Sequence, residues 1–276
     1  MKYLTISILV TIALLGSSAA NCAIIRGEGD FEFYITLSAF PTDGKKVVEL
    51  LQVAVPVKEL EYQKKGDIYK SIIEIEVVIK DGQNVVFSNG YRIKDERDSK
   101  PVAKDISGFV YLTDSCLVDP GEYKLSATVK DMLHKKSGGL FRRSYHSSSV
   151  KDIPIVVPMF DLSGIQVSEP ILIWSVKGSS FIPNPIGIYG LKNDTLTFFA
   201  ESFLYENVSE DSVTFNVSIL NMKGDIELEQ RFKRVITDGR ARLIGKIDIN
   251  TLPAGDYRLI VQCEYGDYVD ARAKDF

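Results

Sequence analysis

Apolar and polar residues alternate at every second position wherever the chain is regular, which is the pattern of a half-buried β-strand. The clearest runs are residues 73–79 and residues 213–219. Each run leads through a glycine turn, at Gly82 or Gly224, into a second apolar segment, as in a β-hairpin. Helical spacing is not sustained after the first 20 residues. The sequence therefore predicts an all-β protein.

A unit made of a turn and a strand occurs twice. Residues 114–126 read DSCLVDPGEYKLS, and residues 248–260 read DINTLPAGDYRLI. The strands that start at Tyr123 and Tyr257 are predicted to be the last of two copies, each with about six or seven short strands. Because the Cys–Trp–Cys core of antibody domains is absent, we expect two tandem immunoglobulin-like β-sandwiches of the fibronectin-like kind, at residues 24–158 and 159–276.

The connections differ between the two copies. The first copy is longer between its hairpin and the Tyr123 strand, where it carries the polar residues 94–100, and we expect a surface loop there. Residues 153–160 predict a strand that ends in a proline-marked crossover, with the boundary between the copies near residues 157–160. A linker this short predicts two sandwiches that reorient little, and hence an elongated rod.

Residues 1–20 have the order of a secretory signal peptide: a lysine, an apolar run and small residues up to Ala20. The run is shorter than the roughly 20 residues that span a bilayer, and no later run is long enough for a membrane anchor. We expect export to the periplasm or cell surface. A competing interpretation makes Cys22 a lipid-bearing cysteine, but Asn21 stands where such signals carry a small residue, so a lipid anchor is not favoured.

The net charge and the absence of catalytic motifs exclude several classes of function. The formal net charge of −4 offers no attraction for nucleic acid, so no nucleic-acid partner is expected. His134 and His146 lack the companions of a metal site, and no nucleophile elbow or phosphate loop occurs. Carboxylates such as Glu74 and Glu76 fit the solvated faces of strands. No catalytic, cofactor or metal site is predicted.

Two segments are candidate binding surfaces. The first carries basic and aromatic side chains, which suit polyanions or glycans, although it also fits an exposed hairpin with a guarded edge. Its candidate residues are Phe141, Arg142, Arg143 and Tyr145. The second carries Trp174, Phe181 and Tyr189 in an irregular stretch. These could form an exposed partner site, or they could cover a sandwich end or pack between the domains.

The positions of the cysteines predict structural rather than reactive side chains. Cys263 shares a strand face with Tyr257 and Leu259, so we expect a buried, inert thiol there. A bridge from Cys116 to Cys263 would have to join the two copies and is not expected.

Four segments carry a family resemblance: residues 53–62 (VAVPVKELEY), the hairpin from Ile73, residues 160–167 (FDLSGIQV), and residues 183–189 (PNPIGIY) before a phenylalanine-rich strand. They resemble the N-terminal region of GWxTD domain-containing proteins, which are exported bacterial proteins without an established role. The motif that names that family is missing, because Trp174 lies between Ile173 and Ser175. The function of the family's C-terminal domain is therefore not carried over.

Together these patterns predict a non-catalytic exported interaction or scaffold protein, whose partner is another envelope protein or a glycan. The alternative is a carbohydrate-binding or adhesive surface module that uses the aromatic residues near Trp174 or Tyr145.

Overall fold

β-strands dominate the computed structural model, which describes residues 24–101, 108–136, 144–178, 180–190, 194–205 and 211–276. The described residues form eighteen strands and one short 3-10 helix, Val57–Glu59. The all-β prediction is confirmed. No described segment forms a helix with the length and apolar character needed to cross a membrane.

The first sandwich contains nine strands, all paired antiparallel. They are β1 (Ile25–Gly29), β2 (Phe33–Phe40), β3 (Val47–Pro56), β4 (Gln63–Lys65), β5 (Ile68–Asp81), β6 (Asn84–Arg97), β7 (Phe109–Val118), β8 (Gly121–Lys136) and β9 (Ser144–Val157). One sheet has the order β1–β2–β3–β7 and the other β6–β5–β8–β9, with β4 beside the start of β5. β1 joins the two sheets, since its first residues pair with β2 and its last two with β9.

The second sandwich repeats this plan. Its strands are β10 (Ile165–Val167), β11 (Ile171–Lys177), β12 (Ser180–Pro183), β13 (Thr195–Leu204), β14 (Ser212–Asn221), β15 (Ile226–Val235), β16 (Arg240–Asp248), β17 (Tyr257–Tyr265) and β18 (Tyr268–Asp275). In one sheet, β13 lies between β16 and the pair β10 and β11; the other sheet has the order β15–β14–β17–β18. Both units thus consist of antiparallel sheets, as expected of β-sandwich domains.

Each sandwich has its own apolar core. The first core includes Phe33, Ile75 and Leu125, and its last member along the chain is Phe160. The second begins at Ile165 and includes Phe198 and Phe215. Strand alternation places these side chains in the cores, because every second residue of the runs 73–79 and 213–219 is apolar and buried.

Two expectations about strand limits are wrong. The strands at Tyr123 and Tyr257 are not the last of their copies, because β9 and β18 follow them. The sequence did not predict β18, because Asp270, Arg272 and Lys274 interrupt its apolar pattern. Residues 94–97 are not a loop either: they end β6 and pair with the beginning of β5.

A tyrosine corner opens β8 and β17. The Tyr123 hydroxyl donates to the carbonyl oxygen of Asp119 at 2.7 Å, and the Tyr257 hydroxyl donates to that of Pro253 at 2.7 Å. Both bonds span the same short turn, and this corner is a recurrent device of immunoglobulin-like sandwiches. The repeated sequence unit is therefore the corner that turns the chain into the next sheet.

Replacing either corner tyrosine with phenylalanine should destabilise its sandwich by about 1 kcal/mol, the usual net value of one hydrogen bond. Urea unfolding of Tyr123→Phe and Tyr257→Phe measures this loss. Tyr69→Phe is the control, since the structure gives the Tyr69 hydroxyl no hydrogen bond among the described residues. Equal losses in all three variants would contradict a special role for the corner.

Candidate functional site at the junction of the two sandwiches

The outer edge of β2 is the place where the two sandwiches meet. β1 covers this edge only as far as Ile35, so the backbone groups of Leu37 and Ala39 are left for other partners. The backbone N–H of Glu169 donates to the Ala39 carbonyl at 2.9 Å, and the Ala39 N–H donates to the Glu169 carboxylate at 3.0 Å. Lys274 Nζ donates to the Leu37 carbonyl at 2.7 Å. The second sandwich therefore completes the edge of the first.

Three ionisable side chains are buried at this junction. Glu49 is 1% exposed, Glu169 is 6% exposed and Lys274 is 2% exposed. Glu49 pairs with Ala39 across β2 and β3. Neither carboxylate oxygen of Glu49 has a hydrogen-bond partner among the described residues. Burying a charged group without such partners costs free energy, so the protonation of Glu49, Glu169 and Lys274 needs a physical explanation.

Burial shapes the protonation of the two carboxyl groups. Burial first, and then the neighbouring Glu169, raise the pKa of Glu49 well above its usual range, while Lys274 opposes the shift. Burial also raises the pKa of Glu169, against Lys274 and the Ala39 N–H, which lower it. Since Glu169 has these two stabilising partners, we assign the charge that balances Lys274 to Glu169 and the neutral acid to Glu49.

A second set of polar contacts lies next to this cluster. Arg272 donates to the Asp270 carboxylate at 2.7 Å, and its guanidinium lies 4.7 Å from the ring centroid of Phe160. Asp270 also accepts the backbone N–H of Val167 at 2.8 Å. Burial raises the pKa of Asp270, and Arg272 opposes this rise. Arg272 thereby connects the end of the first core with the start of the second.

Aromatic side chains close another side of the junction. Phe40 stacks on Phe199 with centroids 6.4 Å apart, and Phe199 stacks on Phe181 at 5.5 Å. The Tyr205 hydroxyl donates to the Thr42 carbonyl at 2.7 Å. Contacts of this kind bury apolar area and fix orientation. The junction thus combines stacked rings with backbone hydrogen bonds.

The predicted aromatic candidates fall into different environments. Phe181 stacks on Phe199 of the same sandwich, and Phe199 in turn stacks on Phe40 of the first sandwich. The Tyr189 hydroxyl lies 3.0 Å from the Ile173 carbonyl and 3.1 Å from the Thr197 carbonyl, and burial raises the pKa of Tyr189. Trp174 is half-buried at a shift in the β11–β12 pairing. Phe181 and Tyr189 are thus engaged with neighbours inside the second sandwich.

The basic segment is described only at its base. Phe141, Arg142, Arg143 and Cys22 lie outside the described residues. Tyr145 is half-buried and pairs with Lys135 across β8 and β9. Close to it, the rings of His134 and His146 stack with centroids 3.5 Å apart. Within the described ranges, no group of three or more metal-binding side chains comes together.

Cys116 and Cys263 are both free thiols. Cys263 is buried, as its strand face predicts, and burial raises its pKa. Burial, with smaller contributions from Glu49 and Asp114, raises the pKa of Cys116 to about 12. A thiol needs to form a thiolate to react, so neither cysteine is suited to nucleophilic chemistry.

The junction can orient domains, but it does not offer a reaction site. Two carboxyl groups with shifted pKa values often mark catalysis. Here, however, Glu49 and Glu169 are almost completely shielded from solvent, so a substrate has no access to them. Sequence reasoning missed these residues because each occupies one position of an otherwise ordinary strand or loop.

No protein-family model and no curated protein matches the chain. Among solved structures, a candidate beta-galactosidase from Bacteroides fragilis aligns with 83% of this chain and 32% of its own chain. Sequence identity is 9% and the TM-score is 0.29. The chain thus spans about a third of that protein's length. A TM-score this low does not bear on function.

Glu49→Gln should flatten the dependence of stability on pH. A carboxyl group whose pKa is higher in the folded state binds its proton more tightly there, so its stabilisation is lost as pH rises above the unfolded value of about 4.3. The glutamine side chain cannot titrate, so the variant should lose less stability than the parent between pH 5 and pH 8, by about 1.4 kcal/mol for each pH unit over which Glu49 stays protonated only in the folded state. Unfolding in urea from pH 5 to pH 9 measures this.

Glu122→Gln is the matched control, because Glu122 is exposed on β8. Its stability profile should follow that of the parent at every pH. Parallel profiles for the parent and Glu49→Gln would contradict a raised pKa at Glu49. The stability of Glu49→Gln should still depend somewhat on pH, because burial also raises the pKa values of Glu169 and Asp270.

Proposed function

We propose that the chain is a non-catalytic exported scaffold or interaction protein in which two fibronectin-like sandwiches act as one rigid unit. The observation that carries this proposal is the junction, where Glu169 and Lys274 bond directly to the edge of β2. A flexible linker would not require buried charges or shared backbone hydrogen bonds. These directional bonds oppose the relative motion that is otherwise expected of linked domains. The signal-like residues 1–20 support export.

We also propose kinship with the N-terminal region of GWxTD domain-containing proteins. Two of the four segments that carry the resemblance lie at or beside the junction. Phe160 contacts Arg272, and Val167 bonds to Asp270. Tyr189 packs edge-on against Phe276, with centroids 6.0 Å apart. The contact of Arg272 with Phe160 links the second sandwich to the first core, and it supports the view that this shared segment serves the joining of two sandwiches.

The alternative of a carbohydrate-binding or adhesive module built on aromatic residues has weaker support. Phe181 is engaged by Phe199, and the Tyr189 hydroxyl is engaged by two carbonyl groups. Aromatic side chains that stack on sugars need an open face. An adhesive role of the chain would therefore use another surface.

Residual dipolar couplings measured by NMR test the rigid unit. The parent should align as one body, with a single alignment tensor for both sandwiches. The double variant Glu169→Ala/Lys274→Ala should require two tensors, because it removes the side chains that bond to β2. Lys70→Ala is the control: it removes only a surface ion pair with Glu96, and such pairs contribute little. Two tensors in the parent would contradict the proposal.

A further inference from the structure

A polar groove lies on the outer face of the first sandwich, away from the residues that form the junction. It crosses β5, β6 and β8 and has a volume of about 450 Å³. Its lining residues are Glu74, Ile75, Glu76, Ser88, Asn89, Gly90, Tyr91, Arg92, Thr128 and Lys130. Binding sites for small ligands occupy roughly 300–1,000 Å³, so the groove is large enough for one.

Gly90 creates the depth of this groove. It lies inside β6 and pairs regularly with Glu76, and the register shift of this hairpin lies elsewhere, between Ile79 and Lys80. A β-carbon added at Gly90 would meet nothing within 4 Å. Glycine weakens a strand, and inside one it often marks a bulge, a tight bend, or a place where a ligand or another backbone approaches closely. Gly90 shows neither a bulge nor a close backbone, so the open space above it is available to a ligand.

The second sandwich provides an internal comparison. Glu76 pairs with Gly90 on one side and Thr128 on the other, whereas Asn216 pairs with Arg231 and Gln262. Thr128 and Gln262 occupy the same position after their corner tyrosines, so Arg231 corresponds to Gly90. Arg231 donates to Glu264 at 3.2 Å. The same place in the repeat thus accepts a large side chain, and only the first sandwich leaves it open.

Charges in the groove are arranged in two rows. Glu74 lies in register between Arg92 and Lys130, and Arg92 approaches it to 3.4 Å. Glu76, in the next row, makes no ion pair or hydrogen bond with the described residues. These four charges sum to zero, which disfavours a strongly charged ligand. The exposed carboxylate of Glu76 can accept hydrogen bonds from a ligand that carries donor groups.

We propose that this groove binds a neutral sugar residue of a glycan. Two neighbouring hydroxyl groups of the sugar donate hydrogen bonds to the Glu76 carboxylate. Lys130 and Thr128 donate hydrogen bonds to other oxygen atoms of the sugar. The bare backbone at Gly90 lets the sugar ring approach the sheet without aromatic stacking. This site goes beyond the proposed scaffold role, because it needs only the first sandwich.

An NMR titration of the ¹⁵N-labelled chain tests the site. The probes are neutral gluco-, xylo-, manno-, galacto- and N-acetylglucosamine oligosaccharides at millimolar concentration. At least one should give saturable shifts centred on the amides of Glu76, Gly90 and Thr128. Silence from every probe would overturn the proposal, as would shifts centred on Trp174 or Tyr145, or stronger binding of an acidic oligogalacturonate.

Variants guided by the repeat sharpen this test. Gly90→Arg should weaken binding roughly tenfold or more by filling the groove, and its melting temperature should not fall, because strand glycine is destabilising. Glu76→Gln should also weaken binding about tenfold, since it loses a charged acceptor. Arg231→Gly is the matched control and should bind like the parent. Unchanged binding in Gly90→Arg would overturn the site.

The same samples separate this proposal from the scaffold role. Release of reducing sugar from a bound probe would contradict a non-catalytic protein, while leaving the groove as the place of binding. Absence of binding together with a single alignment tensor would overturn the groove alone.

Discussion

The unfinished edge of β2 is the constraint on which the arrangement of the two sandwiches depends. β1 leaves this strand after Ile35, so the backbone groups of Leu37 and Ala39 would face water or another chain. Exposed strand edges invite unwanted pairing between molecules, and proteins commonly cover them. Here the cover comes from Glu169 and Lys274 of the second sandwich. The same contacts protect the edge and orient the domains.

The internal repeat shows how one framework can serve two purposes. Both copies keep the corner tyrosine and the order of strands, because these features determine how the two sheets face each other. They differ on surfaces that the framework does not constrain. Arg231 covers the sheet of the second sandwich, whereas Gly90 leaves the equivalent place open in the first. Divergence of this kind points to a role for the open face.

Much of the fold could be predicted from the sequence, because strand alternation and the repeated corner are local signals. Residues 73–79 and 213–219 are buried at every second position for this reason. The junction could not be predicted in this way. From the sequence alone, Lys274 would be assigned to the exposed face of a strand. Its partner, the Leu37 carbonyl, is distant in the sequence, so only the structure shows the contact. Gly90 likewise becomes informative only once its regular pairing and open surroundings are seen.

The buried charges at the junction are better explained by orientation than by stability. A buried ion pair often contributes less than an apolar replacement of the same volume, because both charges lose their hydration. An apolar junction would, however, tolerate sliding between the domains, since apolar contacts have no direction. Lys274 and Glu169 each accept only a narrow geometry at the edge of β2, where a carbonyl and an N–H must be met. The free-energy cost of burying Glu49 then follows from placing the Glu169 and Lys274 contacts beside the core of the first sandwich. This cost is lower when the Glu49 carboxyl group is protonated.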